Sequence, residues 1–427
     1  MIQCTGMGRR GFAGLSAALL AAPSIARANT VEITVHYAQP HVFKDAKDAI
    51  AEAFARKEPG IRISWQTSPD YNDGLQLVLR QAAAGTAVDV SFQALNRLRV
   101  LTERGLAQDL TPFLAREGDP STQGYAPNIL DLGRIGAMQA GLAFSASNSI
   151  AYLNGAVLRR AGVEPEAFPT TWNGVLEIAQ RIAALPDAPD PLFLDWAVSE
   201  WHWAALLHGH GGRWMSEDER RFLLDGPEGH AAMALFDRIV KQGRMPNLIG
   251  AAAQQAFGAG RIGMRFASTA FLRNMIRAVG QNFPLVTMPM PVIDGERGRL
   301  PVGGSAGVLL ARDDARREAA WKFLRFATSA EGTAMMVRHT GYIPVNQMAV
   351  DDPRWLGDFY RENPLYRAAT RQLPITIGWY AFPGSNGVRI SQTIVDNLAQ
   401  VVEGRASAAQ TVQDIQREVT RLLPRAS

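Results

Sequence analysis

The chain has 427 residues, 47% of them hydrophobic and 20% charged, and carries a formal net charge of +4. A chain of this size can bury a large core, and its length favours two lobes over one. No cluster of Lys and Arg with interleaved aromatics is present, which excludes a nucleic-acid surface.

The first residues read as a targeting segment and stand apart from the fold. Arg9-Arg10-Gly11-Phe12 precedes an apolar run from Ala13 to Ala22, and Ala26-Arg27-Ala28 has the small-x-small form of a cleavage site. A paired arginine with an aromatic two residues later resembles a twin-arginine export signal, and the apolar run is too short for a stable membrane span. Residues 1–28 are therefore expected to direct export to the periplasm and to be removed. Three arginines and no acid lie in that segment, so its removal lowers the formal charge from +4 to +1. The isoelectric point of about 9.3 thus overstates how basic the exported protein is. The single cysteine, Cys4, leaves with the same segment. No thiol, disulfide or cysteine metal site is then expected, and stability must come from the core.

From Val31 the pattern alternates. Strands are predicted over Val31 to Tyr37, Ile61 to Trp65 and Val88 to Phe92, and helices over Ala46 to Arg56, Leu75 to Ala84 and Leu95 to Arg104. Such a series points to a mostly parallel sheet covered by helices. Ala143 to Ser149 and Ile150 to Leu153 then read as two strands. A short helix to Ala161, a Pro-punctuated loop and a helix capped by Thr170 or Thr171 and beginning at Trp172 follow. This stretch reads as a crossover between two compact bodies, with Ser145, Ser147, Asn148 and Ser149 where a cleft would lie. Trp172 to Ala184 and Gly229 to Lys241 are amphipathic helices, and Gly260 to Phe266 is a strand feeding a helix at Ser268 and Thr269. A glycine-rich run, Pro301 to Gly307, leads into a buried strand, followed by a helix over Ala315 to Ala327. The part from about Asp351 is mostly helical and is expected to pack on the second lobe.

Several side chains could meet a ligand. Gly303-Gly304-Ser305 lets backbone approach closely and exposes amides, but lacks the Lys-Ser/Thr ending of a nucleotide loop. Ser268 and Thr269 could cap a helix or face a ligand at its positive end. Thr340-Gly341-Tyr342-Ile343-Pro344 is a rigid turn presenting a tyrosine, and Arg389 is a cation just past a flexible loop. Trp196, Trp201, Trp203 and Trp214 could offer flat faces to sugar rings or pack in the core. Among them His202, His208 and His210 match no metalloenzyme spacing, so no metal is expected. Neither a nucleophile elbow nor a dinucleotide fingerprint is found in its strand-to-helix context, and no cysteine nucleophile lies outside the export segment, which argues against an enzyme and a cofactor.

The order Ser-rich strand, Tyr152, Asn154, Arg-Arg-Ala-Gly-Val, Pro, Thr-Thr-Trp resembles the extracytoplasmic solute-binding proteins of carbohydrate ABC importers. It is most similar to the glycerol-3-phosphate-binding branch. The likeness extends to Arg265 to Asn274, Gly303 to Ser305, Thr340 to Pro344 and Ala369 to Gln372. It implies an α/β, two-lobed periplasmic binding protein of type II, with a cleft between lobes joined by crossing segments. Lobe 1 would comprise residues 29–145 and about 303–350, and lobe 2 residues 146–302 and about 351–427. By the same resemblance, the ligand contacts fall on Tyr71, Ser147, Trp172, Ser268, Gly304, Tyr342 and Arg389. Trp172 is then the stacking platform, while the hydroxyls and Arg389 hold the polar or phosphate end. The implied role is capture of glycerol-3-phosphate, a related glycerophosphodiester or a carbohydrate. Delivery is to ABC permease subunits in the inner membrane, served by a cytoplasmic ATPase, from a monomer. A neutral sugar or polyol is the alternative ligand; a periplasmic hydrolase or a signalling receptor is the alternative role. One departure bears on the ligand: where the family places an acidic residue after the third strand, this chain has Leu95 and Asn96.

Overall fold

The computed structural model describes residues 30–197, 199–292 and 297–424. Residues 1–28, expected to direct export and holding Cys4, lie outside the described residues. Among the described residues twelve strands follow in chain order. The first five are β1 (Val31–Ala38), β2 (Ile61–Ser68), β3 (Val90–Ala94), β4 (Arg134–Ile135) and β5 (Met138–Gln139). Then come β6 (Leu142–Ser147), β7 (Ser149–Asn154), β8 (Asp190–Leu194), β9 (Ile262–Ser268), β10 (Leu285–Pro289), β11 (Leu300–Leu309) and β12 (Thr376–Gly378).

They form two main sheets. In the first, β1 lies between β2 and β3, parallel to both, and β3 pairs antiparallel with β11. The opposite edge of β11 is shared by β6, antiparallel, and the short β12, parallel. In the second sheet the order is β10-β7-β9-β8. Strands β4 and β5 make a separate small hairpin. All ten residues of β11 are buried, as expected of a central strand covered on both faces.

Helices close each sheet. Pro40–Lys57, Tyr71–Ala83 and Asp314–Ala327 pack on the first, with Phe43, Phe54, Phe92, Phe144, Trp321 and Phe323 in their shared core. The starts of the second and third are chemically fixed. Asp70 Oδ1 accepts the Asn72 and Asp73 amides, and Asp313 Oδ1 accepts that of Arg316, each satisfying donors with no partner inside the helix. In the second body, Trp172–Ala183 is capped by Thr171 and buries Val175, Leu176, Ile178, Ala179 and Ile182. The C-terminal helices Gly387–Val402 and Ala408–Leu422 pack on each other and on Pro227–Lys241. Strand β12 joins the first sheet although it lies within the stretch 351–427 expected in lobe 2.

The chain passes between the bodies where β6 ends and β7 begins, with Asn148 as the single residue between them. Side-chain amides tie this crossing to others. Asn148 Nδ2 donates to the Ala369 carbonyl at 3.0 Å. Gln372 Nε2 donates to the Ser149 carbonyl at 3.0 Å, and Gln372 Oε1 accepts the Met290 amide at 2.7 Å. The Ile343 amide donates to the Ala146 carbonyl at 2.8 Å. These buried polar groups are largely paired, so the crossing strands form one ordered floor.

Candidate ligand cleft

A cavity of about 350 Å³ opens between the two sheets above that floor. The first body contributes Asp70, Tyr71 and Asn72 at a helix start, Asn96 and Arg97 after β3, Gly303 and Gly304 from β11, and Tyr342. The second contributes Ser199, Trp201, His202, Ser268 and Phe271, while Ser147 stands at the crossing and Trp379 follows β12. Five of the seven residues expected at a ligand site are thus brought together: Tyr71, Ser147, Ser268, Gly304 and Tyr342.

Gly304 holds the floor in a shape that only glycine fits. Its φ is 121°, and a β-carbon there would fall 2.0 Å from the Ser145 carbonyl oxygen. A β-carbon on Gly303 would meet the Trp201 ring at 3.2 Å, so that glycine lets the tryptophan lie against the strand. Beneath them Ser145 Oγ and Ser305 Oγ share a hydrogen bond of 2.8 Å. The Tyr71 hydroxyl is buried close to Ser305, Tyr342 and Ser145. Burial pushes it up to about 12, and those neighbours offset part of the rise. None of them lies in good hydrogen-bonding geometry, so this oxygen has no partner of its own. Tyr342 stacks on Phe43 at 5.2 Å, and burial beside Tyr71 raises its hydroxyl well above the usual range. Ser268 Oγ accepts the Ala270 amide at 3.2 Å, so it both caps the short turn after β9 and faces the cavity.

The aromatic surface comes from Trp201 and Trp379, whose ring centres are 6.3 Å apart at 50°. Glu200 fixes the second ring by accepting its Nε1–H at 2.8 Å. Arg97, which lines the same cavity, is only 8% exposed and makes one hydrogen bond among the described residues, from Nη2 to Asn72 Oδ1 at 3.3 Å. Burial lowers its pKa, and the Glu200 carboxylate partly restores it. Among the described residues no carboxylate is paired with it. Asn96 Oδ1 beside it is buried without a partner. Flat rings, planar amides, a guanidinium with open N–H groups and several hydroxyls are the set that grips a polyol ring by its faces and edges.

Two expected residues are elsewhere. Trp172 occupies the first turn of its helix and turns inward, 3% exposed, with its ring 4.8 Å from Phe266 of β9. It is a core residue of the second body and does not line the cavity where the expected stacking role would place it; the tryptophans that line the cavity are Trp201 and Trp379. Arg389 lies exposed in the first turn of Gly387–Val402, outside the cavity. The cation at the cleft is Arg97. Of the tryptophan-rich segment only Trp201 reaches the cleft; Trp203 and Trp214 stack with each other at 5.6 Å, and Trp214 lies on Phe222 at 5.9 Å. The nearby histidines are spoken for or enclosed. His208 Nδ1 and His210 Nδ1 each face a backbone carbonyl at 2.9 Å, and His202 is buried against Trp201. Among the described residues no group of three or more His, Cys, Asp or Glu could hold a metal ion.

The sequence pattern of the bacterial extracellular solute-binding protein family matches residues 49–367. The chain is 23% identical over 410 residues to the sn-glycerol-3-phosphate-binding periplasmic protein UgpB of Shigella flexneri, covering 88% of this chain and 89% of that one. Among solved structures it is similar to UgpB from Mycobacterium tuberculosis in complex with glycerophosphocholine, with a TM-score of 0.78 and 20% identity over 91% of this chain and 97% of that one. The cyclic alpha-maltosyl-1,6-maltose binding protein from Arthrobacter globiformis gives the same TM-score and identity over 92% and 98%.

Proposed function

The chain belongs to the bacterial extracellular solute-binding protein family, and from that membership we propose that it captures a small carbohydrate or glycerol-based polyol in the cleft for an ABC importer. The observation that carries this reading is the pairing of Trp201 and Trp379 with the polar wall of Asn72, Asn96 and Arg97 across one cavity. A ligand held there touches both bodies. Only a ligand that binds the closed arrangement more tightly than the open one drives closure, and contact with both bodies meets that condition. The closed form is then what permease subunits in the inner membrane, powered by a cytoplasmic ATPase, would receive. No bond chemistry is involved in this cycle: the role is binding and release, by a monomer exported to the periplasm through the twin-arginine segment.

The lobes that close correspond in this reading to residues 29–145 with about 303–350, and 146–302 with most of 351–427. Tyr71, Ser147, Ser268, Gly304 and Tyr342 are proposed ligand contacts, joined by Arg97, Trp201 and Trp379. A second reading, glycerol-3-phosphate or a glycerophosphodiester, is favoured by the open guanidinium of Arg97, which can hold a phosphate by two parallel bonds. Asp70 on the same wall and Glu200 behind the tryptophans weigh towards a ligand with little net charge.

A thermal-shift screen of the exported chain, from Asn29, separates these readings, because a ligand that binds only the native state raises the melting temperature. Glycerol-3-phosphate, glycerophosphocholine, maltose and simple polyols are the compounds to compare. A shift with maltose or polyols alone supports the carbohydrate reading, and a shift with the phosphates alone supports the second. No shift with any of them contradicts both.

A further inference from the structure

The two bodies also meet at both edges of the cavity. At one edge Arg99, in the helix Leu98–Glu103 that follows β3, donates through Nη1 and Nη2 to the two carboxylate oxygens of Glu219 at 3.0 and 2.7 Å. Glu219 lies in the second body, in the turn closed by the bridge between Met215 and Phe222. The Tyr380 hydroxyl donates to the same carboxylate at 2.8 Å. Each side of this contact is a near sequence neighbour of a cavity-lining residue, Arg97 for Arg99 and Trp379 for Tyr380. At the other edge Arg273 of the second body donates to the His339 carbonyl at 2.6 Å and lies 3.8 Å from Asp45.

The two edges are not equivalent. The Arg273–Asp45 pair is long and its side chains are 39% and 68% exposed, so solvent screens it. The Arg99–Glu219 pair is a planar fork on a carboxylate, its side chains 19% and 35% exposed, with a third donor from tyrosine. A second, independent feature marks the same residue. Glu219 has a φ of 55°, in the left-handed region that a β-carbon disfavours. Such a conformation persists only where the surroundings enforce it, and it gathers at working parts of a molecule. Here the Glu219 amide is held by the Ser216 carbonyl at 2.9 Å, and the turn aims the carboxylate across the cleft.

We propose that Arg99, Glu219 and Tyr380 form a clasp that holds the two bodies together at one end of the cleft and exists only in the closed form. It rests on the reading of the molecule as one that opens and closes. Rotation of one body about the crossing segments parts any contact at the cleft edge. A contact unique to the closed form shifts the population towards it. The clasp therefore sets how often the free protein closes, and with it the apparent affinity for ligand.

The test is small-angle scattering of the ligand-free exported protein at low salt, for wild type, Arg99→Gln, Glu219→Gln and the double variant. Lys322→Gln, which breaks the 3.0 Å Lys322–Glu58 pair inside the first body, is the control. The radius of gyration is expected to rise in both single variants, to rise no further in the double, and to stay at the wild-type value in the control. Tyr380→Phe, which removes one hydrogen bond and no charge, should give a smaller rise. Equal radii for wild type and all clasp variants, each with a cooperative melt, would overturn the proposal. No ligand is added, so this outcome is read separately from the screen: a failed screen contradicts the ligand reading and leaves the scattering result standing on its own.

Discussion

Two buried arginines, one in the interior of the second body and one on the cleft wall, are treated in opposite ways. Arg265 on β9, 1% exposed, donates to the equally enclosed Asp195 carboxylate at 2.8 Å. Arg97, nearly as buried, has one long contact to an amide and, among the described residues, no ion pair, the Glu200 carboxylate acting on it only from a distance. Trp172 and Trp201 are almost equally buried, at 3% and 4% exposed, and differ in what they meet: the first is packed on Phe266, while the second lies against Gly303 and lines the cavity. A molecule does not leave a buried cation and flat apolar rings uncovered without cost. In the reading proposed above, the bound ligand supplies the partner that Arg97 does not have in the wall.

That contrast breaks most visibly in stability. Asp195→Ala leaves Arg265 as an uncompensated charge and should cost about 3–5 kcal/mol in urea unfolding. Trp172→Ala should cost a similar amount, roughly 3–5 kcal/mol, through the cavity it leaves. If instead it lowered ligand affinity with no loss of stability, the assignment of Trp172 to the core would fail. On the cleft side the effects should appear in binding. Trp201→Ala or Trp379→Ala is expected to weaken the ligand found in the screen by about 30-fold or more in calorimetry, as for other buried aromatic anchors. Arg97→Ala should weaken it by roughly tenfold to a hundredfold, the worth of hydrogen bonds to a charged group, with the melting temperature little changed. Arg389→Ala, at an exposed helix start, should shift stability by no more than about 0.5 kcal/mol and leave binding unaltered.

Acid sharpens the same comparison, because His202 lies between the two regions. Burial lowers His202 to about 4, and also His208 and His36 to about 4, the last helped by the Lys47 charge. Unfolded imidazole takes its proton near 6.5, so between that pH and about 4 the unfolded chain binds more protons than the folded one. Stability is therefore expected to be full above about 6.5 and to fall as pH drops through that window, by up to about 1.4 kcal/mol per pH unit for each histidine. Replacing His202 by Phe should remove about one third of that slope in urea titrations at pH 4.5–6.5.

Much of this arrangement is legible in the residues. Alternating periodicity marks β1, β2 and β3 and the helices between them, and the serines before Tyr152 mark the crossing. Asn148 and Gln372 turn out to tie the crossing segments together, which gives a physical reason for the Ala369 to Gln372 block. What the sequence does not disclose is the direction a side chain takes within a buried element. A tryptophan at the start of a capped helix reads alike whether it turns to a cleft or a core, and Trp172 turns to the core. The helix Trp201–Gly209 is buried on every side, so no amphipathic stripe singles out Trp201 from Trp203. Arg97 follows immediately after Leu95 and Asn96, where attention falls on the absent acid and not on the cation beside it. Trp379 carries no local pattern at all; it reaches the cleft because β12 pairs with β11, a contact made across more than seventy residues of chain.

The most direct test of the ligand cleft is a crystal structure of the exported protein with the compound that gives the largest thermal shift. The account predicts that compound between Trp201 and Trp379 on one side and Arg97, Tyr71 and Gly304 on the other, touching both bodies. A compound bound to one body alone, or with neither tryptophan at its face, would contradict it.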